Sequence, residues 1–343
     1  MQENKKKAKY YLWPAATSAF IIAGIVFYYF FCTFSNSSED KIVYIDTDDT
    51  PDSVYTKLKE VSNSCQLTGF RTLARHYGYE KRIRTGRYMI KPDMNTFTVF
   101  RHLKNGQQEP LMLTIPETRT IEQLAGKLSQ KLMLDSLELA QALTSEDFCK
   151  KYGYDTASVT ALFIPNTYEV YWDMTLEKFM QRMQKEHEKF WTEDRKQKAK
   201  KIGLTPNEVT TLASIIDEET ANTAEKPMIA GMYLNRLKTG MPLQADPTVK
   251  FALKDFALKR IYHNHLSVES PYNTYTHIGL PPGPIKVASI KGIDAVLNRK
   301  VHSYLYMCAN SNFSGTHVFA NNYQEHLHNA ALYAKALNER GIK

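Results

Sequence analysis

The sequence predicts an α+β protein: a single N-terminal transmembrane helix, then a small module and a larger mixed α+β domain. Residues 10–34 carry no charged side chain, and a helix of that length is enough to cross a bilayer. Helical and strand-like patterns then follow one another without regular alternation, which favours an α+β fold over a parallel α/β fold. Residues 35–343 are enough for two domains, each with its own hydrophobic core.

Charged and aromatic residues mark the two ends of the apolar stretch. Lysines at positions 5, 6, 7 and 9 precede it, and lysines on a short flank mark the cytoplasmic side. Aromatic rings, which settle at the headgroup level, lie at positions 10–13 and 28–34. A cleaved signal peptide is the alternative, but its apolar core is shorter and ends in small residues. We expect a cytoplasmic tail over 1–9, a transmembrane helix over 10–34 and a linker over 35–41.

Net charge and cysteine content exclude several classes of protein. The net charge is +8, of which four lysines and Glu3 give +3 within residues 1–9, leaving +5 for the rest. That charge is scattered and no basic motif interleaved with aromatic residues occurs, so nucleic acid is not expected as a partner. The four cysteines have neither disulfide-framework nor zinc spacing. Cys32 lies in the predicted transmembrane helix, and at most one bridge could form among the outer three, Cys65, Cys149 and Cys308.

Residues 42–108 predict a small module. Strand patterns lie at 42–45 and 87–90. Between them are two predicted helices, one beginning at Thr50-Pro51 and one near 70–77. A third helix is predicted from Thr96 to Asn105-Gly106. The strand-helix-helix-strand order resembles a LysM-like glycan-binding module, although no sharp sequence motif supports it. A structural spacer is the alternative interpretation.

Residues 109–343 predict the larger domain. A strand at 111–115 is followed by a helix that Thr120 and Gln123 cap, and a long amphipathic helix covers 176–191. The chain is rich in proline and glycine between 241 and 287. A helix near 288–297, strands near 304–309 and 317–319, and a helix over 323–339 complete the domain.

A helix beginning at a Thr205–Glu208 capping box ends in three consecutive acids, Asp217, Glu218 and Glu219. At about 100° per residue, Glu219 lies roughly 50° from the centre of the apolar face, Asp217 about 110° and Glu218 about 150°. Glu219 is therefore the acid expected to be partly buried, with a raised pKa suited to a general acid. The other two acids are expected to point away from that face. The alternative is that all three form a solvated surface.

Polar residues cluster after this helix, at 235–236 on the next helix and in the segments 243–248 and 270–275. Amides, carboxylates and tyrosine rings suit sugar recognition, although Asn and Asp beside proline often only shape turns. The His263/His265 and His326/His328 pairs lack a third ligand at recognisable spacing, so we expect surface or capping roles for them, with no metal and no cofactor. No nucleophile elbow or phosphate-binding glycine loop occurs.

Five motifs, in this order, resemble the YceG-like (MltG) family of endolytic murein transglycosylases. They are 212–220 (LASIIDEET), 234–237 (LNRL), 240–249 (GMPLQADPTV), 272–275 (YNTY) and 279–285 (GLPPGPI). The resemblance extends to 163–169 and 315–319 and covers nearly the whole chain. Two positions depart from the family pattern: Asp217, where Glu is frequent, and Asn166, where Asp is usual.

The resemblance implies a bacterial envelope enzyme that cuts inside peptidoglycan glycan strands at the bond from N-acetylmuramic acid to N-acetylglucosamine. The family's catalytic acid falls on Glu219, which would protonate the bridging oxygen and then act as base toward the muramyl C6 hydroxyl, leaving a 1,6-anhydro end. The residues expected to hold the sugar are Asn235, Gln244, Asp246, Asn273, Tyr275 and His317. Relatives suggest peptidoglycan synthases as membrane neighbours.

Two other functions fit the same sequence. One is a muramidase that uses water, with Asp246 or Glu169 as the second carboxylate. The other is a membrane-anchored peptidoglycan-binding scaffold without turnover. The three differ in their products, since only the transglycosylase gives anhydro ends and the scaffold gives no product.

Overall fold

The structure is a computed structural model that describes residues 2–258 and 260–341, with side chains from residue 13 onward. The chain divides into two compact units, one formed by Met1–Met112 with Glu169–Met174 and the other by Leu113–Tyr168 with Thr175–Lys343. Helices predominate, and the strands form two-stranded sheets. The predicted α+β class is therefore confirmed.

The first unit contains an antiparallel pair of strands, β1 and β2, with two helices between them. Lys41 pairs with Ile90 and Ile45 with Gly86. The core beneath the sheet includes Phe70, Tyr79 and Tyr88, all buried. The elements are α1 (Gln2–Phe31), β1 (Lys41–Ile45), α2 (Pro51–Val61), α3 (Ser64–His76), β2 (Gly86–Ile90) and α4 (Thr96–Asn105).

Helix α1 contains the apolar stretch. Its segment Trp13–Phe31 has 19 residues with a mean hydropathy of 1.7, long and apolar enough to cross a bilayer. The helix ends at Phe31, three residues before the predicted end at 34. Phe34 is fully buried in the core of the first unit, where its ring packs 6.1 Å from that of Phe70. Hydropathy alone cannot distinguish a membrane-facing phenylalanine from one that packs in a core.

The carbonyl end of α1 is tied to the same unit. The last carbonyls of a helix lack partners within it, and here side chains supply them. Gln66 Nε2 donates to the Tyr28 carbonyl at 3.0 Å, and Thr96 Oγ1 donates to the Tyr29 carbonyl at 2.8 Å. The predicted linker is also held, because Asn63 Nδ2 donates to the Ser35 carbonyl at 2.9 Å.

The second unit consists mainly of helices. Strands β5 and β6 pair antiparallel, with Tyr306 opposite Ala320. The elements are β3 (Leu111–Thr114), α5 (Ile121–Ser129), α6 (Ser136–Leu143), α7 (Glu146–Lys150), β4 (Thr167–Val170), α8 (Leu176–Phe190), α9 (Glu193–Lys201), α10 (Pro206–Glu219), α11 (Lys226–Thr239), α12 (Asp246–Leu253), α13 (Ile290–Leu297), β5 (Tyr306–Ala309), β6 (His317–Ala320) and α14 (Tyr323–Glu339).

Helix α10 is the centre of this unit. The predicted capping box begins it, with Glu208 N donating to Thr205 Oγ1 at 3.3 Å and Thr205 N donating to Glu208 Oε2 at 2.7 Å. Every residue from Val209 to Ile216 is buried, because α9, α11, α12 and α13 pack around the helix. Ser214 Oγ accepts a hydrogen bond of 3.0 Å from Ile285 N, which fastens the proline-rich 279–285 segment to the helix.

Two helical glycines give a test of this packing. A Cβ on Gly231 in α11 would meet the Lys300 carbonyl and lie 2.6 Å from His302 Nε2, whereas a Cβ on Gly126 in α5 would meet nothing within 4 Å. Gly231→Ala should lower the free energy of unfolding by roughly 1–3 kcal/mol through overpacking. Gly126→Ala, the matched control, should raise it by up to about 1 kcal/mol through helix propensity. Denaturant unfolding of the detergent-solubilised chain measures both, and equal effects would contradict the packing described for α11.

Candidate active site

The end of α10 presents its three acids to three different environments. The Asp217 side chain is 2% exposed, forms an ion pair with Lys226 and accepts hydrogen bonds from Ser289 N at 2.6 Å and Ser289 Oγ at 2.8 Å. Glu218 is 17% exposed and pairs with Arg119 at 2.8 Å and Lys286 at 3.4 Å. Asp217, which was expected to point away from the apolar face, is nevertheless buried rather than exposed to solvent. Helix α10 is buried on nearly every side, so a direction away from the mean apolar face still leads into α11 and α13.

Glu219 lies at the wall of a cavity and has no cationic partner within salt-bridge distance among the described residues. Its Oε1 accepts a hydrogen bond of 2.7 Å from the hydroxyl of Tyr233, a buried residue of α11. Burial raises the pKa of Glu219 to about 7, and the nearby Asp246 carboxylate adds to this. Three contacts lower the pKa of Glu219: the hydrogen bond from Tyr233 and the nearby His317 and Lys250 side chains. Desolvation prevails, so the carboxyl can hold a proton near neutral pH.

The cavity has a volume of about 290 Å³ and we call it the glutamate cavity. Side chains from α10, α11, α12, both strands of the β5–β6 hairpin and α14 surround it. Its lining residues are Glu219, Met232, Tyr233, Arg236, Leu243, Gln244, Asp246, Tyr275, Met307, Cys308, Ala309, His317 and His326.

Four of the six predicted sugar-binding residues line the glutamate cavity: Gln244, Asp246, Tyr275 and His317. The Tyr275 hydroxyl donates to Asp246 Oδ1 at 2.6 Å, which joins a loop to the start of α12. Gln244 has φ +51°, and its backbone N–H donates to the Thr274 carbonyl at 3.0 Å. This left-handed conformation turns the chain into α12 and leaves the exposed Gln244 side chain at the cavity.

The other two predicted sugar-binding residues, Asn235 and Asn273, lie outside the cavity lining. Asn235 Nδ2 donates to the carbonyls of His302 and Tyr304 at 2.8 and 3.0 Å. Asn273 is fully buried, its Nδ2 donates to two loop carbonyls at 2.9 Å, and its Oδ1 accepts from Tyr275 N at 3.0 Å. Both amides are used to hold backbone, so the structure gives these residues supporting positions rather than contact with a ligand.

Sequence reasoning missed Tyr233 and Glu225, and it named Arg236 only as part of a polar cluster suited to sugar recognition. Arg236 is buried, and its guanidinium donates to the carbonyls of Leu305 at 2.6 Å and Leu243 at 2.8 Å, so it joins two walls of the cavity. Helical spacing was the one signal in the sequence that could have pointed to Tyr233 and Arg236. Positions 229, 232, 233 and 236 lie on the same side of α11, which packs on α10.

His326 was predicted to be a surface or capping residue, and that prediction was wrong. Its ring lines the glutamate cavity and stacks on Tyr306, with centroids 5.4 Å apart. Burial, together with the Arg236 charge, lowers the pKa of His326. Because α14 folds back over the β5–β6 hairpin, a residue that looks exposed in sequence reaches the cavity.

The four cysteines are unpaired thiols. Within residues 2–258 and 260–341, no three His, Cys, Asp or Glu side chains are grouped in a way that could hold a metal ion. The glutamate cavity itself is lined by carboxyl, hydroxyl, imidazole and guanidinium groups.

Asp217 and Glu219 should respond oppositely to amide substitution. Glu219→Gln should raise the free energy of unfolding at pH 8 by roughly 2–3 kcal/mol, at about 1.4 kcal/mol per pKa unit, because the wild-type carboxyl must ionise in a buried site. The gain in the free energy of unfolding should vanish at pH 4, below the ordinary pKa of 4.5, where the carboxyl is neutral in the folded and the unfolded state.

Asp217→Asn should lower the free energy of unfolding by roughly 3–5 kcal/mol at pH 8, since it leaves Lys226 buried without its partner. Denaturant unfolding at the two pH values measures this, and a pH-independent effect of Glu219→Gln would contradict the raised pKa.

Comparison with known proteins identifies the family to which the sequence is similar. The model of the YceG-like family matches residues 43–332. The endolytic murein transglycosylase of Bacillus subtilis (strain 168) is 30% identical over 274 residues, which cover 74% of each chain. The endolytic murein transglycosylase of Streptococcus pneumoniae serotype 2 is 28% identical over 283 residues, covering 73% of this chain and 50% of that protein, so this chain spans about half the length of the streptococcal relative.

A solved structure of a YceG-like protein is also similar to this chain. The crystal structure of a YceG-like protein from Listeria monocytogenes aligns with a TM-score of 0.56 at 26% identity, covering 85% of this chain and 99% of that chain. The family match extends through both compact units and includes every residue of the glutamate cavity. This chain belongs to the YceG-like family.

Proposed function

We propose that this chain is an endolytic murein transglycosylase, a lyase that cuts within peptidoglycan glycan strands at the bond from N-acetylmuramic acid to N-acetylglucosamine. The observation that carries the proposal is the single desolvated carboxyl at the glutamate cavity, whose pKa of about 7 lets it both give and accept a proton near neutral pH. The names of the relatives from Bacillus and Streptococcus support the same activity.

The proposed reaction needs one group that can give a proton and then accept one. Glu219 donates its proton to the bridging oxygen as the bond from C1 breaks, and positive charge develops on the muramyl ring. The C6 hydroxyl oxygen then bonds to C1 and closes the 1,6-anhydro ring. The hydroxyl proton returns to the Glu219 carboxylate, directly or through a neighbouring group, and the neutral acid is restored.

Other side chains of the cavity suit the sugar. Asp246 and Tyr275 form a hydrogen-bonded pair that can bind hydroxyl or acetamido groups, and the exposed amide of Gln244 lies beside them. The Asp246 carboxylate also brings negative charge close to the ring that becomes positive. These assignments follow from position in the cavity.

Asp246 is also the residue that would make this enzyme a muramidase. A hydrolase places a second carboxylate across the scissile bond, and Asp246 shares the cavity with Glu219 and raises its pKa. Glu169, the other candidate, is exposed on β4 and belongs to the first unit. A muramidase would add water at C1, whereas a scaffold would leave the strand intact.

Loss of the Glu219 proton should abolish cleavage. Glu219→Gln keeps the size and hydrogen-bonding capacity of the side chain, so the fold should persist while turnover falls by roughly 100-fold or more. Mass spectrometry of digested strands should find 1,6-anhydro ends with the wild type and almost none with the variant. Glu218→Gln, the matched control on the adjacent residue, should cleave like the wild type. Near-normal activity of Glu219→Gln would refute the mechanism.

We further propose that residues 42–108 form a LysM-like module that binds glycan and that residues 109–343 form the catalytic domain. The order β1-α2-α3-β2, with an antiparallel pair of strands and two helices between them, supports the first assignment. Separate binding of the strand would keep the cutting unit on its polymer.

We also propose that α1 anchors the chain in the bacterial inner membrane with its N-terminus in the cytoplasm, and that peptidoglycan synthases are its neighbours. The apolar segment Trp13–Phe31 and the lysines before it support this topology.

The orientation can be tested with protease. Added outside spheroplasts, a protease should degrade the chain beyond about residue 35 and leave a short N-terminal fragment, because the bilayer shields only the helix and the tail. A cytoplasmic marker protein should stay intact as the control. Protection of the second unit would reverse the proposed topology.

A further inference from the structure

A buried carboxylate outside the proposed reaction holds one wall of the glutamate cavity. Glu225 lies at the N-terminal end of α11, and its side chain is 7% exposed. Its Oε1 accepts a hydrogen bond of 2.5 Å from the backbone N–H of His317, and its Oε2 lies 2.9 Å from Nδ1 of the same residue. One carboxylate therefore fixes both the backbone and the ring of His317.

This arrangement determines which ring nitrogen of His317 carries hydrogen. A carboxylate can only accept, so Nδ1 must donate and Nε2 of the neutral ring is left with a lone pair. Nε2 makes no hydrogen bond to any residue that the structure describes. The His317 side chain is 18% exposed and lines the cavity that Glu219 also lines. The cavity thus contains a fixed proton acceptor beside the proposed acid.

The proposed reaction has a use for such an acceptor. After Glu219 has given up its proton, the C6 hydroxyl must be oriented over C1 and must lose its proton, or water will attack C1 instead. An intramolecular hydroxyl outcompetes water only while it is held in the attacking geometry. A neutral imidazole nitrogen with a carboxylate behind it can hold the hydroxyl by a hydrogen bond and can accept its proton.

We propose that Nε2 of His317 binds the muramyl C6 hydroxyl and relays its proton to Glu219, and that Glu225 is the positioning residue that maintains the required tautomer. This proposal rests on the transglycosylase function proposed above. As the bond from the C6 oxygen to C1 forms, the hydroxyl proton moves to Nε2, and the imidazolium is stabilised by Glu225. The proton then passes to the Glu219 carboxylate, so that both groups return to their starting states and no water is consumed.

The variant Glu225→Gln tests the tautomer. The amide keeps the size of the side chain, but its NH₂ group placed against Nδ1 would force the ring hydrogen onto Nε2, which could then no longer accept. Digestion by the full-length chain in detergent, in oxygen-18 water, should show turnover lowered by roughly 100-fold. Reducing ends labelled at C1 should replace a large share of the anhydro ends, because water captures C1 when the hydroxyl is not held.

Three comparisons make the result decisive. His317→Gln should shift the products in the same direction, and it decides the question if Glu225→Gln does not fold. Glu218→Gln, a carboxylate-to-amide change outside the glutamate cavity, should keep the wild-type rate and purely anhydro ends. Unlabelled anhydro ends alone from folded Glu225→Gln and His317→Gln would overturn the relay. Labelled ends or no product from the wild type would instead refute the transglycosylase function itself.

Discussion

The burial of α10 on nearly every side is the constraint on which the site depends. Four helices cover it, so the acids at its carboxyl end leave the helix inside the protein rather than at its surface. A charge in such a place must find a partner or lose its ionisation. Asp217 finds Lys226 and the Ser289 donors, and Glu218 reaches two cations at the edge. Among the residues that the structure describes, Glu219 receives a hydrogen bond only from the Tyr233 hydroxyl, and burial raises its pKa to about 7.

The same packing explains why the family motifs contain polar residues whose side chains hydrogen-bond to the backbone of neighbouring loops. Arg236 and Asn235 project from α11 to backbone carbonyls of the segment around 302–305, and Asn273 closes the loop that carries Tyr275. Loops that form cavity walls leave backbone groups unpaired, and these buried side chains satisfy them. The polar motifs therefore serve mainly to hold a small number of reactive groups in fixed positions.

The sequence allowed the α+β class, the capping box of α10 and the partial burial of Glu219 to be predicted. The capping box is a local signal, and the 3.6-residue period is set by neighbours along one helix. The environment of Asp217 could not be predicted, because Lys226 and Ser289 lie on other helices. The positions of Asn273 and His326 were also beyond reach, since each depends on how a loop or terminal helix folds back. Phe34 shows the same difficulty, because an apolar residue satisfies a membrane pattern and a core equally well.

The central claim is that burial outweighs the favourable contacts of Glu219 and raises its pKa to about 7, so that a large fraction of the carboxyl is protonated near neutral pH. It can be tested directly by carbon-13 NMR titration of the chain labelled at glutamate carboxyls, with Glu219→Gln used to assign the signal. The account predicts one carboxyl that titrates at about 7, against the ordinary value of 4.5, and that is missing from the variant. A Glu219 signal that titrates at the ordinary glutamate value would contradict it, because the carboxyl would then be ionised and unable to donate a proton where the enzyme works.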